Sequence, residues 1–194
     1  ATTARPRTGC WFQGRVWYAG IDASQAATGT APYTTWTESI YFSQIIRDSS
    51  QFGMCYQVND PTSEELNTLL PTDGGVIQIQ GCGTVYKLFP IQNGLLVFAA
   101  NGIYFITGSQ GIGFAANDYT VNKVSEIQAL SSQSFVNVQG FPVFWNEEGI
   151  YTVAPGQQGS GISVDNITTG TISQFYEEIP KISKKYARGY YNPV

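Results

Sequence analysis

The sequence predicts an all-β fold, and three observations lead to that prediction. Aromatic residues make up 14% of the 194 residues, whereas charged residues make up 12%, about half the usual share. The chain contains 21 glycines, which suits strands joined by tight turns. Short runs rich in Val, Ile, Phe and Tyr recur along the chain, with turn residues between them.

Two hairpins in the second half of the chain match each other. Residues 94–106 (GLLVFAANGIYFI) align with residues 140–153 (GFPVFWNEEGIYTV), and the Asn-Gly pair at 101–102 predicts a type I′ turn because both residues tolerate positive φ. The equivalent Ile103 and Ile150 are 47 residues apart. A spacing of about 40–50 residues is typical of four-stranded propeller blades. The repeat therefore predicts a β-propeller.

A third, looser copy lies upstream, with its first strand at 14–18 (GRVWY) and its return strand at 39–42 (SIYF). Alternation or β-branching predicts further strands at 75–80, 84–89 and 135–138. The strands group into about three blade-like units, with the start of a fourth: 10–58, 75–108, 118–155 and 187–194.

Two short helical insertions are expected between the strands. The first covers residues 61–70, where Asp60 suits the N-cap and Pro61 the first helical position. The second covers about 171–179 and ends at Pro180, which cannot continue a helix.

The last residues predict an unfinished unit. Residues 187–194 (ARGYYNPV) resemble a first hairpin strand without its return strand. We therefore expect residues 1–194 to form a single β-propeller-like region, a partial propeller that is a fragment of a longer chain.

The charges of the chain disfavour a general affinity for nucleic acid. The net charge is −4, whereas sequence-independent binding to phosphates requires a surplus of Lys and Arg. Most of the basic residues lie near the two ends of the chain, and we expect them on solvated faces or termini: Arg5, Arg7, Arg15, Lys181, Lys184, Lys185 and Arg188.

The composition excludes the commonest catalytic sites. The chain has no histidine, which removes the usual general base, the usual Ser and Cys triads and most catalytic zinc sites. Cys10, Cys55 and Cys82 are widely spaced without a C-x-x-C pair, so we expect buried free thiols. No catalytic, cofactor-binding or metal-binding residue is predicted. No apolar run is long enough to span a membrane.

Three pairs of adjacent carboxylates are expected on the solvated surface, because neighbours in sequence point apart: Glu64 with Glu65, Glu147 with Glu148, and Glu177 with Glu178. The glycine-rich stretches 108–113 and 156–161 lack a following Lys-Ser/Thr, so we expect loops between blades and not phosphate loops.

The tryptophans have two interpretations. Trp17 and Trp145 lie within hairpin strands, where burial between blades is expected. Alternatively, exposed rings among Trp11, Trp17, Trp36 and Trp145 could form a platform that stacks on a sugar, and the best candidates are Trp36 and Tyr33 in a long loop.

The chain resembles the tail nozzle proteins of short-tailed bacteriophages, the tail tubular protein B type and related tail stabilisation proteins. The resemblance runs from about Arg5 to the end, and its motifs are RPRTGCWFQGRVWYAG, SIYFSQIIRD, NGLLVFAANGIYFITGS, FPVFWNEEGIYTV and EIPKISKKYARGYYNP. It implies a β-propeller body and a homo-oligomeric ring of six copies at the distal end of the tail. It further implies a virion protein made in the host cytoplasm, contacts with other tail proteins such as the adaptor, and a lumen for double-stranded DNA.

Three hypotheses follow. The first is a non-enzymatic virion structural protein, part of a nozzle through which DNA is ejected along a weakly charged acidic wall. The second is a carbohydrate-binding propeller, receptor-binding or lectin-like, using Trp36 and Tyr33. The third and weaker one is a glycosidase using Glu147 or Glu148, although the Asp-box of sialidase propellers is not present.

Overall fold

The computed structural model describes residues 5–21, 37–55, 68–111, 113–156 and 161–193. Within these ranges the chain is mostly β, and its strands form three four-stranded antiparallel sheets in which each strand pairs with its neighbours in the chain. The prediction of a β fold with four-stranded units is confirmed.

The three sheets follow one another along the chain. The first sheet consists of β1 (Thr8–Phe12), β2 (Arg15–Ala19), β3 (Ser39–Phe42) and β4 (Gly75–Gln78). The second consists of β5 (Val85–Ile91), β6 (Gly94–Ala99), β7 (Gly102–Thr107) and β8 (Thr120–Ser125). The third consists of β9 (Phe135–Val138), β10 (Phe141–Trp145), β11 (Ile150–Pro155) and β12 (Ile162–Asn166).

The boundaries of the sheets differ from those of the predicted units. The strand at 75–78 pairs with β3 and closes the first sheet, although the sequence placed it in the second unit. Likewise β8 pairs with β7 and not with the strands of the third sheet. The hairpin repeat identifies only the two central strands of each sheet. The fourth strand follows a long or irregular connection, so the sequence prediction assigned it to the next unit and not to the sheet that it completes.

The two matching hairpins are confirmed as β6 with β7 and β10 with β11. The predicted type I′ turn at Asn101-Gly102 is wrong in detail. Ala99 pairs with Gly102, so Ala100 and Asn101 form the turn and Gly102 begins β7. Its φ of +128° and the nearby carbonyl of Ser125 leave no room for a Cβ, because β8 approaches the backbone closely at this point.

Two helices lie near the end of the chain. The predicted helix at 171–179 is confirmed as α1 (Ser173–Glu178), and α2 (Lys181–Lys184) follows after Pro180. Most of the helix predicted at 61–70 lies outside the described residues, and 68–70 are not helical. Neither described helix is long and apolar enough to cross a membrane.

The strand predicted at 187–194 is wrong for residues 187–193, which have no regular secondary structure. They pass over the outer face of the third sheet, where the backbone of Gly189 lies against Val136. A strand requires hydrogen bonds to a neighbouring strand, and none of the described strands pairs with this segment.

Two apolar layers join the sheets into a stack, with the second sheet in the middle. Alternate residues of β6 point to opposite sides: Leu95 and Val97 pack against the first sheet, and Leu96 and Phe98 against the third. Because both faces are buried, β6 is an unbroken apolar run. A buried hydrogen bond from the Leu88 N–H to Thr8 Oγ1 (3.1 Å) also links the first two sheets.

Candidate functional site

The adjacent carboxylates lie on the surface as expected where the structure describes them. Glu147 and Glu148 are exposed in the turn between β10 and β11, and Glu147 Oε2 accepts a hydrogen bond from Lys181 Nζ at 3.0 Å. Glu177 and Glu178 are exposed on α1. The pair at 64–65 lies outside the described residues. Among the described residues, no three potential metal ligands come together.

Arg15 corrects one expectation from the sequence, since it is 1% exposed and not solvated. Its guanidinium donates to the carbonyl oxygens of Ser43 (2.7 Å) and Thr72 (3.2 Å), and also to those of Pro71 and Asp73. Burial lowers the pKa of Arg15 to about 10, although the charge of Asp73 opposes this shift. The side chain is therefore charged at neutral pH and ties β2 to the connection between β3 and β4.

Aromatic rings complete the surroundings of Arg15. The centroids of Phe42 and Phe114 each lie 5.6 Å from its guanidinium carbon. Trp17 is fully buried, as predicted, with its ring 4.9 Å from Phe42 and 4.7 Å from Phe114. Phe114 belongs to the connection between β7 and β8, so this cluster fills the gap between the first two sheets at one end.

Lys184 is the second basic residue that is not solvated, with 4% exposure. Its Nζ donates to the carbonyl oxygen of Glu147 at 2.8 Å and lies 4.2 Å from the ring centroid of Tyr176. Burial raises the pKa of Tyr176 to about 12. The other basic residues of the two ends are exposed as expected: Arg5, Arg7, Lys181, Lys185 and Arg188.

The three cysteines are free thiols. Cys82 is fully buried and Cys10 and Cys55 are partly buried. Burial raises the pKa of Cys10 and of Cys82 to about 12 and that of Cys55 to about 11. The thiolate is the reactive form of cysteine, so these surroundings suppress reactivity at neutral pH.

Within the described residues, the outer face of the first sheet is mainly apolar and aromatic, and residues 52–55 contact it on one side, where the Tyr18 hydroxyl donates to the Phe52 carbonyl at 3.1 Å. Its side chains, which we name the open face, are those of Trp11, Val16, Tyr18, Tyr41 and Val76. They pair across the strands, Trp11 with Val16 and Tyr41 with both Tyr18 and Val76. Trp11 is 54% exposed and Val76 38%. The one charged residue of these four strands, Arg15, is buried on the other side, so the open face carries no charge from its strands.

The outer face of the third sheet is partly covered by the C-terminal segment. Trp145 was expected to be buried between blades, but it is half-buried on this outer face and packs against Tyr176 at 5.2 Å. The Tyr176 hydroxyl donates to the carbonyl of Asn146. The helices leave apolar side chains in solvent, which we name the terminal patch: Ile172, Phe175, Ile182 and Tyr186. Phe175 and Ile182 are 66% and 69% exposed.

A groove of about 530 Å³ separates the second and third sheets at the end where Arg15 lies in the first sheet. We name it the inter-sheet groove, and its lining includes Gln92, Asn93, Phe105, Asn122, Val124 and Ile162.

The two glycine-rich stretches border this groove, with Gly111 on one side and Gly156 and Gly161 on the other. They join β7 to β8 and β11 to β12, so they lie within sheets and not between them as predicted. Each loop is closed by a backbone hydrogen bond of 2.8 Å, from Gly108 to Gly113 and from Gly156 to Gly161.

Two of the aromatic residues considered for sugar binding, Tyr33 and Trp36, lie outside the described residues. The groove and the buried Arg15 were not anticipated from the sequence. Comparison with protein-family models finds no match for the chain, and comparison with curated proteins finds none either.

Proposed function

We propose that this protein is a non-enzymatic structural component of a virion, part of the tail nozzle of a short-tailed bacteriophage. In this proposal the three sheets are blades of a β-propeller, and copies of the chain assemble into a ring of six that contacts other tail proteins such as the adaptor. Double-stranded DNA passes through its lumen.

One observation carries the proposal: three successive four-stranded meanders are stacked face to face, and on the outer face of the first sheet no described strand covers Trp11 and Val76, which are exposed. Stacked four-stranded sheets are the elements of a propeller. Four of the five sequence motifs that resemble nozzle proteins contain strands of these sheets, for example residues 94–106 with β6 and β7, whereas the fifth, at 178–193, contains α2.

The two ends of the stack support assembly between copies. The open face and the terminal patch are different apolar surfaces on opposite ends, and contact between unlike surfaces is heterologous, which produces rings when the rotation closes. A large exposed apolar patch usually marks an interaction site. Removing Trp11 and Val76 from water would favour such contact.

The charge of the chain supports a passive channel. A protein of net charge −4 does not attract DNA phosphates over long distances. Weak attraction suits a conduit, because strong phosphate contacts would retain DNA.

Trp11→Glu tests the proposal, because it places a charge on the most exposed aromatic side chain of the open face. The mass distribution of the unaltered chain is measured across protein concentrations and its assemblies are imaged by electron microscopy. We expect oligomers with a ring shape, and we expect Trp11→Glu to be mostly monomeric. Gln110→Glu, at an exposed position in the connection between β7 and β8 of the middle sheet, adds the same charge and should assemble normally. An unaltered chain that stays monomeric, or a Trp11→Glu chain that still forms rings, contradicts the proposal.

A further inference from the structure

The inter-sheet groove exists because equivalent positions in the first two sheets carry very different residues. Arg15 and Gly94 each follow the turn between the first two strands of their sheet and pair with the last residue of the preceding strand, Phe12 and Ile91. Arg15 and Phe114 fill the gap between the first and second sheets. Gly94 has no side chain, and the corresponding gap between the second and third sheets is open.

Gly94 also determines where the Phe105 ring lies. A Cβ on Gly94 would lie 2.5 Å from two carbon atoms of that ring, so the ring rests directly over the glycine backbone. Phe105 is partly buried against the core between the second and third sheets and lines the groove. The groove therefore has one aromatic ring that is held in position by strand backbone.

Amide side chains surround this ring. Asn122 is the direct cross-strand partner of Phe105 and lies on the same face of the sheet. Gln92 and Asn93 form the adjacent turn, which the Thr107 hydroxyl fixes by donating to the Asn93 carbonyl at 2.8 Å. No hydrogen bond within the described residues engages the side-chain amides of Gln92 and Asn93. Each amide offers donors and an acceptor to a ligand.

The described lining of the groove carries no charge. The nearest basic residue along β8, Lys123, points to the opposite face, with its Nζ 5.7 Å from the Tyr104 ring centroid and paired with Glu126. A groove without cations does not suit phosphates or carboxylates, because a buried anion needs a partner charge. Its volume falls within the range of about 300–1,000 Å³ that small-ligand sites occupy.

We propose that the inter-sheet groove binds a neutral saccharide of one or two rings. The apolar face of the sugar stacks on Phe105, and its hydroxyls exchange hydrogen bonds with the amides of Asn122, Gln92 and Asn93. This combination of an aromatic ring with amides and no charge matches a ligand that is apolar on its ring faces and polar at its edge. The site goes beyond the structural role proposed above and does not depend on ring assembly.

Saturation-transfer NMR on the full chain tests the site, with glucose, galactose, N-acetylglucosamine and maltose as neutral probes, glucuronic acid as an anionic probe and uridine as an uncharged aromatic one. We expect saturable binding of at least one neutral sugar, with weaker binding of glucuronic acid and uridine. Asn122→Ala changes an exposed residue and should weaken this binding about tenfold, the loss that about 1.4 kcal/mol produces. Gln128→Ala, at an exposed position outside the groove, should leave it unchanged.

Phe105→Leu provides a second variant, which keeps an apolar side chain but removes the ring. Circular dichroism and the melting temperature establish that it is folded, and we expect it to lose sugar binding by at least tenfold. The proposal is wrong if no neutral sugar binds, if glucuronic acid or uridine binds more tightly, or if folded Asn122→Ala and Phe105→Leu bind as the unaltered chain does. The mass distribution that tests ring assembly is a separate measurement, so the two proposals can fail independently.

Discussion

Replacing Arg15 with Met tests whether the buried guanidinium holds the connection between β3 and β4. Met can donate no hydrogen bond, so four carbonyl oxygens lose the guanidinium as a donor. Those of Pro71 and Thr72 keep backbone N–H donors, whereas no other donor reaches those of Ser43 and Asp73 within the described residues. The bonds to Ser43 and Asp73 are buried, and a buried acceptor left without a donor costs about 1–3 kcal/mol. Removal of a desolvated charge, which the lowered pKa of Arg15 reflects, offsets part of this loss. We expect the free energy of unfolding to fall by about 3 kcal/mol, the lower end of the cost of breaking a buried ionic contact.

Urea denaturation followed by tryptophan fluorescence measures this change, because Trp17 is buried 4.9 Å from Phe42 in the same cluster. Arg15→Lys keeps the charge but not the planar fork of donors, so we expect an intermediate loss of about 1–2 kcal/mol. Arg188→Met is the matched control, because Arg188 is exposed, and it should change stability by less than about 0.5 kcal/mol.

A loss for Arg15→Met no greater than that for Arg188→Met would refute this reasoning. It would mean that water satisfies the carbonyls of Ser43 and Asp73 once the guanidinium is gone. In that case the buried arginine would fix the position of the connection between β3 and β4 but would add little to the free energy of unfolding, as some buried ionic groups do.

Three further predictions concern single groups. Gly94→Ala should lower the free energy of unfolding, measured in urea, by about 2 kcal/mol, because its Cβ would meet a carbonyl oxygen and the Phe105 ring at 2.5 Å. The control Gly53→Ala should be neutral, because its Cβ meets nothing within 4 Å. Equal losses of stability for the two variants would contradict this prediction. Folded Cys82 keeps its proton to about pH 12, whereas the unfolded thiol loses it near pH 9, so stability contributed by Cys82 is complete below pH 9 and falls as pH rises to 12. Urea titrations should show a shallower fall for Cys82→Ala, and an unchanged slope would contradict this. Tyr176→Phe should cost about 1–2 kcal/mol by calorimetry because a carbonyl loses its donor, while exposed Tyr186→Phe should cost almost nothing; similar melting temperatures for the two would count against it.

The central strands could be predicted from the sequence because burial on both sides makes them unbroken apolar runs. Residues 94–98 are the clearest case, with every side chain of β6 buried. The outermost strands β8 and β12 were missed because they contain exposed polar residues such as Lys123 and Asp165. Their pairing with β7 and β11 is specified by backbone hydrogen bonds, which leave little trace in residue type.

A signal for the missed strand β1 was present in the sequence. Gln13-Gly14 and Gln139-Gly140 both form two-residue turns with positive φ at each position, and both follow a strand that ends in an apolar residue. Gln92 begins the equivalent turn of the second sheet. A Gln-Gly pair therefore marks the end of the first strand in the first and third sheets, whereas the second sheet has Gln92-Asn93 and the same pair also occurs elsewhere, for example at 80–81 and 110–111.

The burial of Arg15 and Lys184 could not be predicted in this way. Their partners are mainly backbone carbonyls, those of Ser43 and of residues 71–73 for Arg15 and that of Glu147 for Lys184. Every residue has a carbonyl, so no residue type marks such a partner in the sequence. The inter-sheet groove is hidden for a related reason, because it depends on the absence of a side chain at Gly94 and on four separate segments of the chain.

One backbone position relates the groove to the proposed assembly. Arg15 in the first sheet and Gly94 in the second correspond to Phe141 in the third, since each is the first residue after the turn between the first two strands. Arg15 fills a gap between sheets, Gly94 leaves one open, and Phe141 remains 40% exposed on the outer face of the third sheet. If a neighbouring copy extends the stack, its open face should cover Phe141 as the second sheet covers Arg15. The contacts between the first and second sheets, between the second and third sheets, and between neighbouring copies would then differ in chemistry. A neighbouring copy in a shifted position would place Phe141 against a different residue. This difference favours one arrangement of copies over others.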